Sequence, residues 1–198
     1  MRSMLEVSAE LDIQANRQAR KYSRAELARR ALWCLGNWLV RLSPRPCFAW
    51  RNLILRLFGA TVGAQVRVDP STRILFPWNL KVGPWTALGQ DVRIYNPGPI
   101  FLGRKVTISH GAHLCAGTHD HTRADLPLIK QPITIADQVW ICADAFIGPG
   151  AQVGTGAVIA ARAVVTGRVA DWNVVAGNPA RIIGHRELRA ALPTEIFP

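Results

Sequence analysis

Aliphatic residues recur at every sixth position along much of this chain, with small or polar residues between them. The regular positions are Val62, Val68, Ile74, Val82, Leu88, Ile94, Leu102, Ile108, Leu114, Ile135, Ile141, Ile147, Val153, Ile159 and Val165. A period of six matches neither the 3.6 residues of an amphipathic helix nor the two of an ordinary strand. It is typical of a parallel β-solenoid in which each coil has three faces and each face one inward aliphatic residue.

The spacing of successive coils locates one large insertion. The first aliphatic residues of the five triplets are 20, 20, 33 and 18 residues apart, so the third interval is fifteen residues longer than a regular coil. We predict an all-β solenoid of about five coils over residues 61–180, with a loop at 115–132 that leaves at a corner and does not disturb the stacked strands. Residues 1–60 are predicted to form a basic helical segment, and residues 181–198 a short C-terminal helix or tail.

The N-terminal segment contains two predicted helices. Ser23 and Glu26 match a capping box, so a helix is expected to begin there, and a second apolar stretch covers residues 50–58. Residues 1–60 carry a net charge of +7 out of +11 for the whole chain. Two compatible interpretations are open: the helices cover the open end of the solenoid, or they contact an anionic membrane surface. No nucleic-acid-binding motif accompanies the charge, so nucleic acid is not an expected partner.

Composition predicts a globular protein of the cytoplasm. Hydrophobic residues make up 49% of the 198 residues, too many for a disordered chain. The strongest apolar run, residues 31–40, has about half of the ~20 residues needed to cross a bilayer. No two of the four cysteines have a CxxC spacing, and Cys115 and Cys142 each follow a regular aliphatic residue, where a small side chain fits. We therefore expect a cytoplasmic location, with residues 1–60 as the part that would touch the inner face of the membrane.

The segment around the insertion resembles a known family of enzymes. It begins with Gly117-Thr118-His119-Asp120 and ends with the run Pro-Ile-Thr-Ile-Ala-Asp-Gln-Val-Trp-Ile at 132–141. Both parts are similar to the active-site segment of the hexapeptide-repeat acyltransferases of the galactoside, maltose and nodulation type. Phe76-Pro77-Trp78-Asn79-Leu80 and Tyr95-Asn96 resemble more closely the colanic-acid-type exopolysaccharide O-acetyltransferases. The resemblance covers about residues 48–188.

The resemblance implies a left-handed parallel β-helix that assembles as a homotrimer, with each active site between neighbouring subunits. It also implies transfer of an acetyl group from acetyl-CoA to a hydroxyl, with no metal. His119 would be the general base, because a neutral imidazole can take the proton of a sugar hydroxyl while the oxygen attacks the thioester. A backbone N–H of the opposing coil would stabilise the oxyanion. His121, two residues later, is the alternative base.

The resemblance further suggests which positions bind the two substrates. Tyr95, Asn96 and Asp120 would face the acceptor. The positions assigned to acetyl-CoA are Trp140, Ala143, Ala161, Arg168 and Arg181. The chain departs from the family at Val165-Thr166-Gly167, where related enzymes often have a lysine, and at Gly184, where a basic residue is expected. The CoA phosphates could then be contacted by Arg162, Arg168 or Arg186.

Other functions remain open from the sequence. γ-Class carbonic anhydrases share the fold and bind a metal with histidines between subunits, and the chain has clustered histidines at His110, His113, His119 and His121. A non-catalytic trimeric scaffold, a xenobiotic acetyltransferase and a serine acetyltransferase are further candidates. The aromatic stretches and the basic helices favour a saccharide acceptor, free or attached to a polyprenyl diphosphate carrier at the cytoplasmic face of the membrane.

Overall fold

The structure is a computed structural model that describes residues 10–189, and it consists of three helices followed by a three-faced solenoid. The helices are α1 (Ile13–Gln18), α2 (Arg24–Arg41) and α3 (Phe48–Leu57), and a 3₁₀ turn spans Pro77–Asn79. Face A contains β1 (Thr61–Val62), β4 (Leu80–Val82), β7 (Ile100–Leu102), β12 (Ile133–Ile135), β15 (Gln152–Val153) and β18 (Arg168–Val169). Face B contains β2 (Arg67–Val68), β5 (Ala87–Leu88), β8 (Thr107–Ile108), β13 (Trp140–Ile141), β16 (Val158–Ile159), β19 (Asn173–Ala176) and β20 (Arg181–His185). Face C contains β3 (Arg73–Ile74), β6 (Arg93–Tyr95), β9 (His113–Cys115), β14 (Phe146–Ile147) and β17 (Val164–Val165). A separate antiparallel hairpin is formed by β10 (Gly117–His119) and β11 (Leu128–Lys130).

The six-residue ladder forms the core of the solenoid. On face A, Val62, Val82 and Leu102 are register partners, and the column continues through Ile135 and Val153. All fifteen ladder residues are at most 7% exposed. Since each face adds one inward aliphatic residue per coil, the strands stack in parallel around a continuous apolar column. The predicted parallel solenoid is confirmed.

The C-terminal end differs from the prediction in two ways. The solenoid has about six turns instead of five, because Val169 on β18 pairs with Val153 and starts a further turn only four residues after Val165, outside the six-residue period. The predicted C-terminal helix is wrong for Arg181–His185, which forms β20 antiparallel to β19. A turn at 177–180 reverses the chain, so β20 supplies backbone partners to the last parallel strand. Residues 190–198 lie outside the described residues.

Helix α3 covers the open end of the first coil. Backbone groups of neighbouring coils bond to each other, as from the Gly63 N–H to the Val82 carbonyl at 2.8 Å. No coil precedes the first one, so the carbonyls on its open side need other partners. Arg51, which is fully buried, donates to the Val68 carbonyl at 2.6 Å, and Arg56 donates to the Val62 carbonyl at 2.8 Å. α3 therefore replaces the coil that would precede the first one.

Helix α2 packs against α3 and face C. Its capping box is confirmed: the Glu26 N–H donates to the Ser23 hydroxyl, and the Ser23 N–H donates to the Glu26 carboxylate. Trp33 is buried and donates its indole N–H to the Ile74 carbonyl at 2.7 Å. No helix in the described ranges of the chain has both the length and the apolar character needed to cross a bilayer.

Candidate active site

The fifteen-residue insertion folds into a hairpin at the edge between faces C and A. The Ala116 N–H donates to the Tyr95 carbonyl at 2.8 Å, and the Gln131 N–H donates to the Ala116 carbonyl at 3.1 Å. The hairpin therefore leaves the solenoid and returns to it at one level. His119 ends β10 opposite Leu128 of β11 and is exposed.

The hydrogen bond of the His119 ring determines which of its nitrogens is free. Nδ1 lies 2.6 Å from the carbonyl oxygen of Leu126. A carbonyl oxygen can only accept, so Nδ1 carries the hydrogen and, in the neutral ring, Nε2 keeps its lone pair. The exposed imidazole can therefore receive a proton at Nε2 from a hydroxyl outside the chain.

The tip of the hairpin is held by side-chain interactions of its own. The Asp120 carboxylate accepts from the Thr122 hydroxyl at 2.6 Å and from the Thr122 N–H at 3.0 Å, and these bonds lower the pKa of the Asp120 carboxyl. Arg123 and Asp125 form a bidentate ion pair at 2.9 Å. Leu126 has φ +43°, in the left-handed region that L-residues seldom adopt. Asp120 thus shapes the turn, whereas the partner of the histidine ring is the Leu126 carbonyl.

Helix α1 contacts the same loop from the N-terminal segment. The Asp12 N–H donates to the Ala124 carbonyl at 2.8 Å. Asn16 Nδ2 donates to the carbonyls of Asp125 and Leu126, both at 2.7 Å. The Leu126 oxygen therefore accepts from Asn16 and from the histidine ring together, and α1 fixes the carbonyl that orients this ring.

Neither Asn16 nor the Leu126 carbonyl can be identified as part of the site from the sequence. The first twenty residues show no strong pattern, and a backbone carbonyl leaves no mark on the sequence at all. The one available signal is Asp12, which caps α1 by accepting from the Ala15 N–H at 2.8 Å. That signal predicts a helix but not its contact with a loop more than a hundred residues away.

The structure separates the neighbouring candidates Tyr95 and Asn96. Tyr95 is 37% exposed, and its ring lies 3.2 Å from the place that a Cβ on Gly117 would occupy. Asn96 is fully buried: its Oδ1 accepts from the Phe76 N–H at 2.9 Å and its Nδ2 donates to the Phe76 carbonyl at 2.7 Å. Since alternate residues of a strand point to opposite sides, only Tyr95 faces outward. The prediction that Asn96 faces the acceptor is therefore corrected: Asn96 joins two coils.

Aromatic rings surround the base of the hairpin. Tyr22 lies with its ring centroid 5.5 Å from that of Phe76, and Phe76 lies 5.4 Å from Trp78. Lys130 Nζ lies 4.7 Å from the Tyr22 ring centroid. The pKa of Tyr22 is raised, first by burial and then by the nearby Tyr95. Phe76 itself is only 1% exposed, so the half-buried rings of Tyr22 and Trp78 present the aromatic surface there, a type of surface suited to the apolar face of a sugar ring.

The positions assigned to the pantetheine arm of CoA lie elsewhere on the solenoid. Trp140 projects from face B, is 45% exposed and donates its indole N–H to the Ser109 hydroxyl at 3.0 Å. Ala143 and Ala161 lie one above the other at the edge between faces B and C, where the Arg162 N–H donates to the Ala143 carbonyl at 2.9 Å. In a triangular prism the edge between C and A is opposite face B. One chain therefore does not bring the histidine and Trp140 together.

The candidate phosphate contacts are partly brought together. Arg168 begins β18 and Arg181 begins β20, and both line one groove of about 630 Å³ at the C-terminal end. Arg186 instead donates to the carbonyls of Gln138 and Gly156 at 2.8 and 3.1 Å, a structural use of its guanidinium. Arg168 and Arg181 are thus better placed than Arg186 to meet an anion.

The histidines that are close in sequence are spread over the solenoid. His110 lies at the edge between faces B and C, His113 on face C, and His119 and His121 on the hairpin. Burial first, and then Arg93, lowers the pKa of His113. In the part of the chain that the structure describes, no three His, Cys, Asp or Glu side chains are grouped so that they could hold a metal ion.

Comparison with known proteins gives consistent matches, although no protein-family profile matches the chain. Over 154 residues the chain is 36% identical to a protein of Escherichia coli (strain K12) that is named as a colanic acid biosynthesis acetyltransferase, WcaF; the match covers 78% of this chain and 85% of that protein. A maltose O-acetyltransferase from Clostridium difficile 630 superimposes with a TM-score of 0.77 at 26% identity, covering 84% of this chain and 90% of the other. The hexapeptide-repeat acetyltransferase VCA0836 from Vibrio cholerae gives a TM-score of 0.77 at 27% identity, covering 82% and 93%. The same Vibrio protein in complex with acetyl coenzyme A also gives a TM-score of 0.77, at 24% identity, covering 84% and 91%.

Proposed function

Because the chain belongs to the hexapeptide-repeat acyltransferase family, with its left-handed parallel β-helix, we propose that it acetylates a hydroxyl of a saccharide or exopolysaccharide precursor. As an acetyltransferase of this family it uses acetyl-CoA as co-substrate. The observation that carries the proposal is the hydrogen bond of the His119 ring. Its Nδ1 lies 2.6 Å from the carbonyl oxygen of Leu126, so that in the exposed neutral ring Nε2 is left to accept a proton from the acceptor hydroxyl.

The proposed reaction is a direct transfer with His119 as general base. Nε2 takes the proton of the acceptor hydroxyl while its oxygen forms a bond to the thioester carbonyl carbon. The carbon–sulfur bond then breaks, and the CoA thiolate leaves and receives the proton from the imidazolium. The products are an acetyl ester and CoA, and the histidine returns to its neutral form. A positioned base of this kind contributes about 10²- to 10⁴-fold in rate.

Replacement of His119 tests the proposed base. His119→Ala is expected to lose about 10²- to 10⁴-fold in turnover, measured as acetyl-CoA-dependent thiol release with a panel of nucleotide sugars, oligosaccharides, lipid-linked glycans, an antibiotic and serine. His121→Ala, on the same exposed hairpin, is the matched control and should keep its activity. Circular dichroism checks that both variants fold. Substantial turnover by folded His119→Ala would overturn the assignment, and a preference for serine or the antibiotic would overturn the saccharide acceptor.

A homotrimer with each site between two chains is the assembly that the geometry favours. His119 lies at the edge between C and A, whereas Trp140, Ala143 and Ala161 lie on face B and at the edge between B and C. A neighbouring solenoid of the same kind can present its face B to the hairpin of the first chain. Light scattering of the purified protein tests the trimer, and a monomeric active enzyme would contradict it.

We also propose that the enzyme is cytoplasmic and that the outward side of α2 contacts an anionic membrane surface. Exposed apolar side chains on α2, its C-cap and α3 are Leu27, Leu32, Leu35, Trp38, Leu42, Trp50, Leu53 and Leu57. Exposed Arg24, Arg29 and Arg41 lie on the same helix. An apolar strip with arginines beside it is the composition of interfacial helices, whereas a second copy would bring like charges into contact.

Vesicle co-sedimentation tests this membrane contact. The protein is expected to sediment with vesicles that contain anionic lipid at low salt, and Leu35→Glu should weaken the binding more than Leu188→Glu, a control at an equally exposed leucine distant in sequence. Failure of the unaltered protein to bind, or loss of the trimer in Leu35→Glu, would overturn the membrane assignment; the latter would identify a contact between copies.

A further inference from the structure

A groove between helix α2 and face C gathers three arginine side chains. The groove has a volume of about 390 Å³ and is lined by Asn37, Arg41, Arg73, Arg93, Tyr95 and His113. Arg73, Arg93 and His113 are register partners on β3, β6 and β9, so they lie one above another on neighbouring strands about 4.8 Å apart. A third guanidinium group comes from Arg41, at the C-terminal end of α2, which precedes Arg73 by 32 residues in the sequence.

The described residues do not neutralise the charge of this groove. Within the range 10–189, the ion pairs are Arg45–Asp69, Arg104–Asp137, Arg123–Asp125, Lys130–Glu26 and Arg162–Asp144. None of them involves a groove arginine. Asp91 and Asp144 line a neighbouring groove together with Arg73 and Arg93 but form no ion pair with either. Like charges on adjacent strands repel each other, so the fold places together guanidinium groups that an anion would balance.

His113 adds a neutral hydrogen-bonding group to these charges. Burial first, and then Arg93, lowers its pKa, so the ring is uncharged near neutral pH. Its edge rests against the Phe146 ring, with centroids 5.4 Å apart, which fixes the orientation of the imidazole. Three permanently charged guanidinium groups and one neutral polar ring therefore line one small groove.

We propose that this groove binds the diphosphate of the acceptor, so that the acceptor is a saccharide linked through a diphosphate. A guanidinium group presents paired N–H donors that match phosphate oxygens, and such charge-assisted bonds are about twice as strong as neutral ones. A neutral sugar would gain little from three guanidinium groups. Both a nucleotide diphosphate sugar and a polyprenyl diphosphate-linked saccharide carry the required linkage.

Tyr95 connects the groove to the hairpin. Its side chain lines the groove, and its ring also lies beside Gly117, the first residue of β10. The general base, His119, follows two residues later on the same strand. A diphosphate in the groove thus directs its sugar toward the hairpin. This last step rests on the proposed function, whereas the charges and shape of the groove do not.

Binding of inorganic pyrophosphate tests the groove without any turnover. Isothermal titration calorimetry at low ionic strength is expected to show binding to the unaltered protein and to His119→Ala. The double variant Arg73→Gln/Arg93→Gln should bind at least about tenfold more weakly. Arg67→Gln, at an exposed arginine on face B of the coil that contains Arg73, is the matched control and should bind normally. Absence of pyrophosphate binding, or equal binding by the double variant, would overturn the proposal.

Kinetics with three acceptors identify the source of the diphosphate. The acceptors are a nucleotide diphosphate sugar, a polyprenyl diphosphate-linked saccharide and the same saccharide without phosphate. The double variant should raise the KM of the preferred diphosphate acceptor about 10- to 100-fold, while the KM for acetyl-CoA and the rate with the phosphate-free saccharide stay within about twofold. The diphosphate acceptor with the lower KM in the unaltered enzyme is the one that the groove serves.

The two proposals can fail separately. Arginine-dependent pyrophosphate binding without acetyl transfer to any acceptor would support the groove and overturn the saccharide acetyltransferase. Transfer that is indifferent to phosphate and to both arginines would support the acetyltransferase and overturn the groove. Dissociation of the trimer in the double variant, together with no pyrophosphate binding, would show that the arginines serve a contact between copies and would also overturn the groove.

Discussion

Two inactive variants, assembled into mixed trimers, should restore about one third of the activity of the unaltered enzyme. One variant is His119→Ala, which removes the proposed base. The other is Ala161→Trp, which places an indole at an exposed edge position assigned to the pantetheine arm of CoA. About six residues of extended chain, ~20 Å, separate the two edges of face C, whereas a base must be within about 3 Å of the hydroxyl. The histidine and the alanine of one site should therefore come from different chains.

The expected fraction follows from the closed symmetry of the ring. In the proposed homotrimer, each site would take its histidine from one chain and its CoA-binding edge from the next chain in a fixed direction. A mixed trimer contains two chains of one variant and one of the other, so only one of its three junctions joins an intact histidine to an intact edge. The activity per trimer is therefore about one third of that of the unaltered enzyme.

The assay uses the two variants co-expressed with different affinity tags and purified on both tags, so that only mixed trimers remain. Thiol release from acetyl-CoA is measured per trimer, and trimers of each variant alone provide the background. Activity no higher than this background in trimers of confirmed composition would refute the shared site. Normal activity of Ala161→Trp alone would refute the assignment of that edge to CoA.

Three further predictions concern the loop, the end cap and pH. Asn16→Ala removes the amide that shares the Leu126 carbonyl with the histidine ring, so kcat should fall about tenfold with little change in the KM for acetyl-CoA. Gln18→Ala, at an exposed residue of the same helix, is the control and should have normal kinetics. An equal kcat for both variants would contradict the role of Asn16. Arg51→Met leaves the Val68 carbonyl of the first coil without its buried donor and should lower the free energy of unfolding by about 3 kcal/mol, measured by chemical denaturation. A loss below about 1 kcal/mol would contradict the end-cap role. Because the pKa of His113 is lowered in the folded protein, the His113 ring of the unfolded chain is protonated first as the pH falls. The stability that the neutral His113 ring contributes is therefore complete above the ordinary pKa of 6.5 and is lost as the pH falls below 6.5. His113→Leu should therefore flatten the decline of the unfolding midpoint below pH 6.5, and an unchanged pH profile would contradict this.

The solenoid and its single large interruption could be predicted from the sequence. The inward positions repeat because every coil places one aliphatic residue on each face, and a repeat of local geometry is visible as a repeat of letters. The same reasoning located the hairpin, since fifteen residues beyond one coil cannot stay within the stack. It failed at the sixth turn, where the step from Val165 to Val169 breaks the period although the stacking continues.

The contacts that assemble the candidate site were decided only by the tertiary structure. Asn16 meets Leu126 across 110 residues of chain, and the acceptor of that bond is a backbone carbonyl, which every residue type carries. Asn96 turned inward because the strand alternation at Tyr95 assigns it to the core, a choice that two adjacent polar residues do not reveal. The same holds for the groove, where Arg41 joins Arg73 and Arg93 through the packing of α2 on face C. Periodic burial is a local property of the chain and can be predicted from it, whereas the pairing of distant polar groups depends on how the elements pack, which only the folded molecule determines.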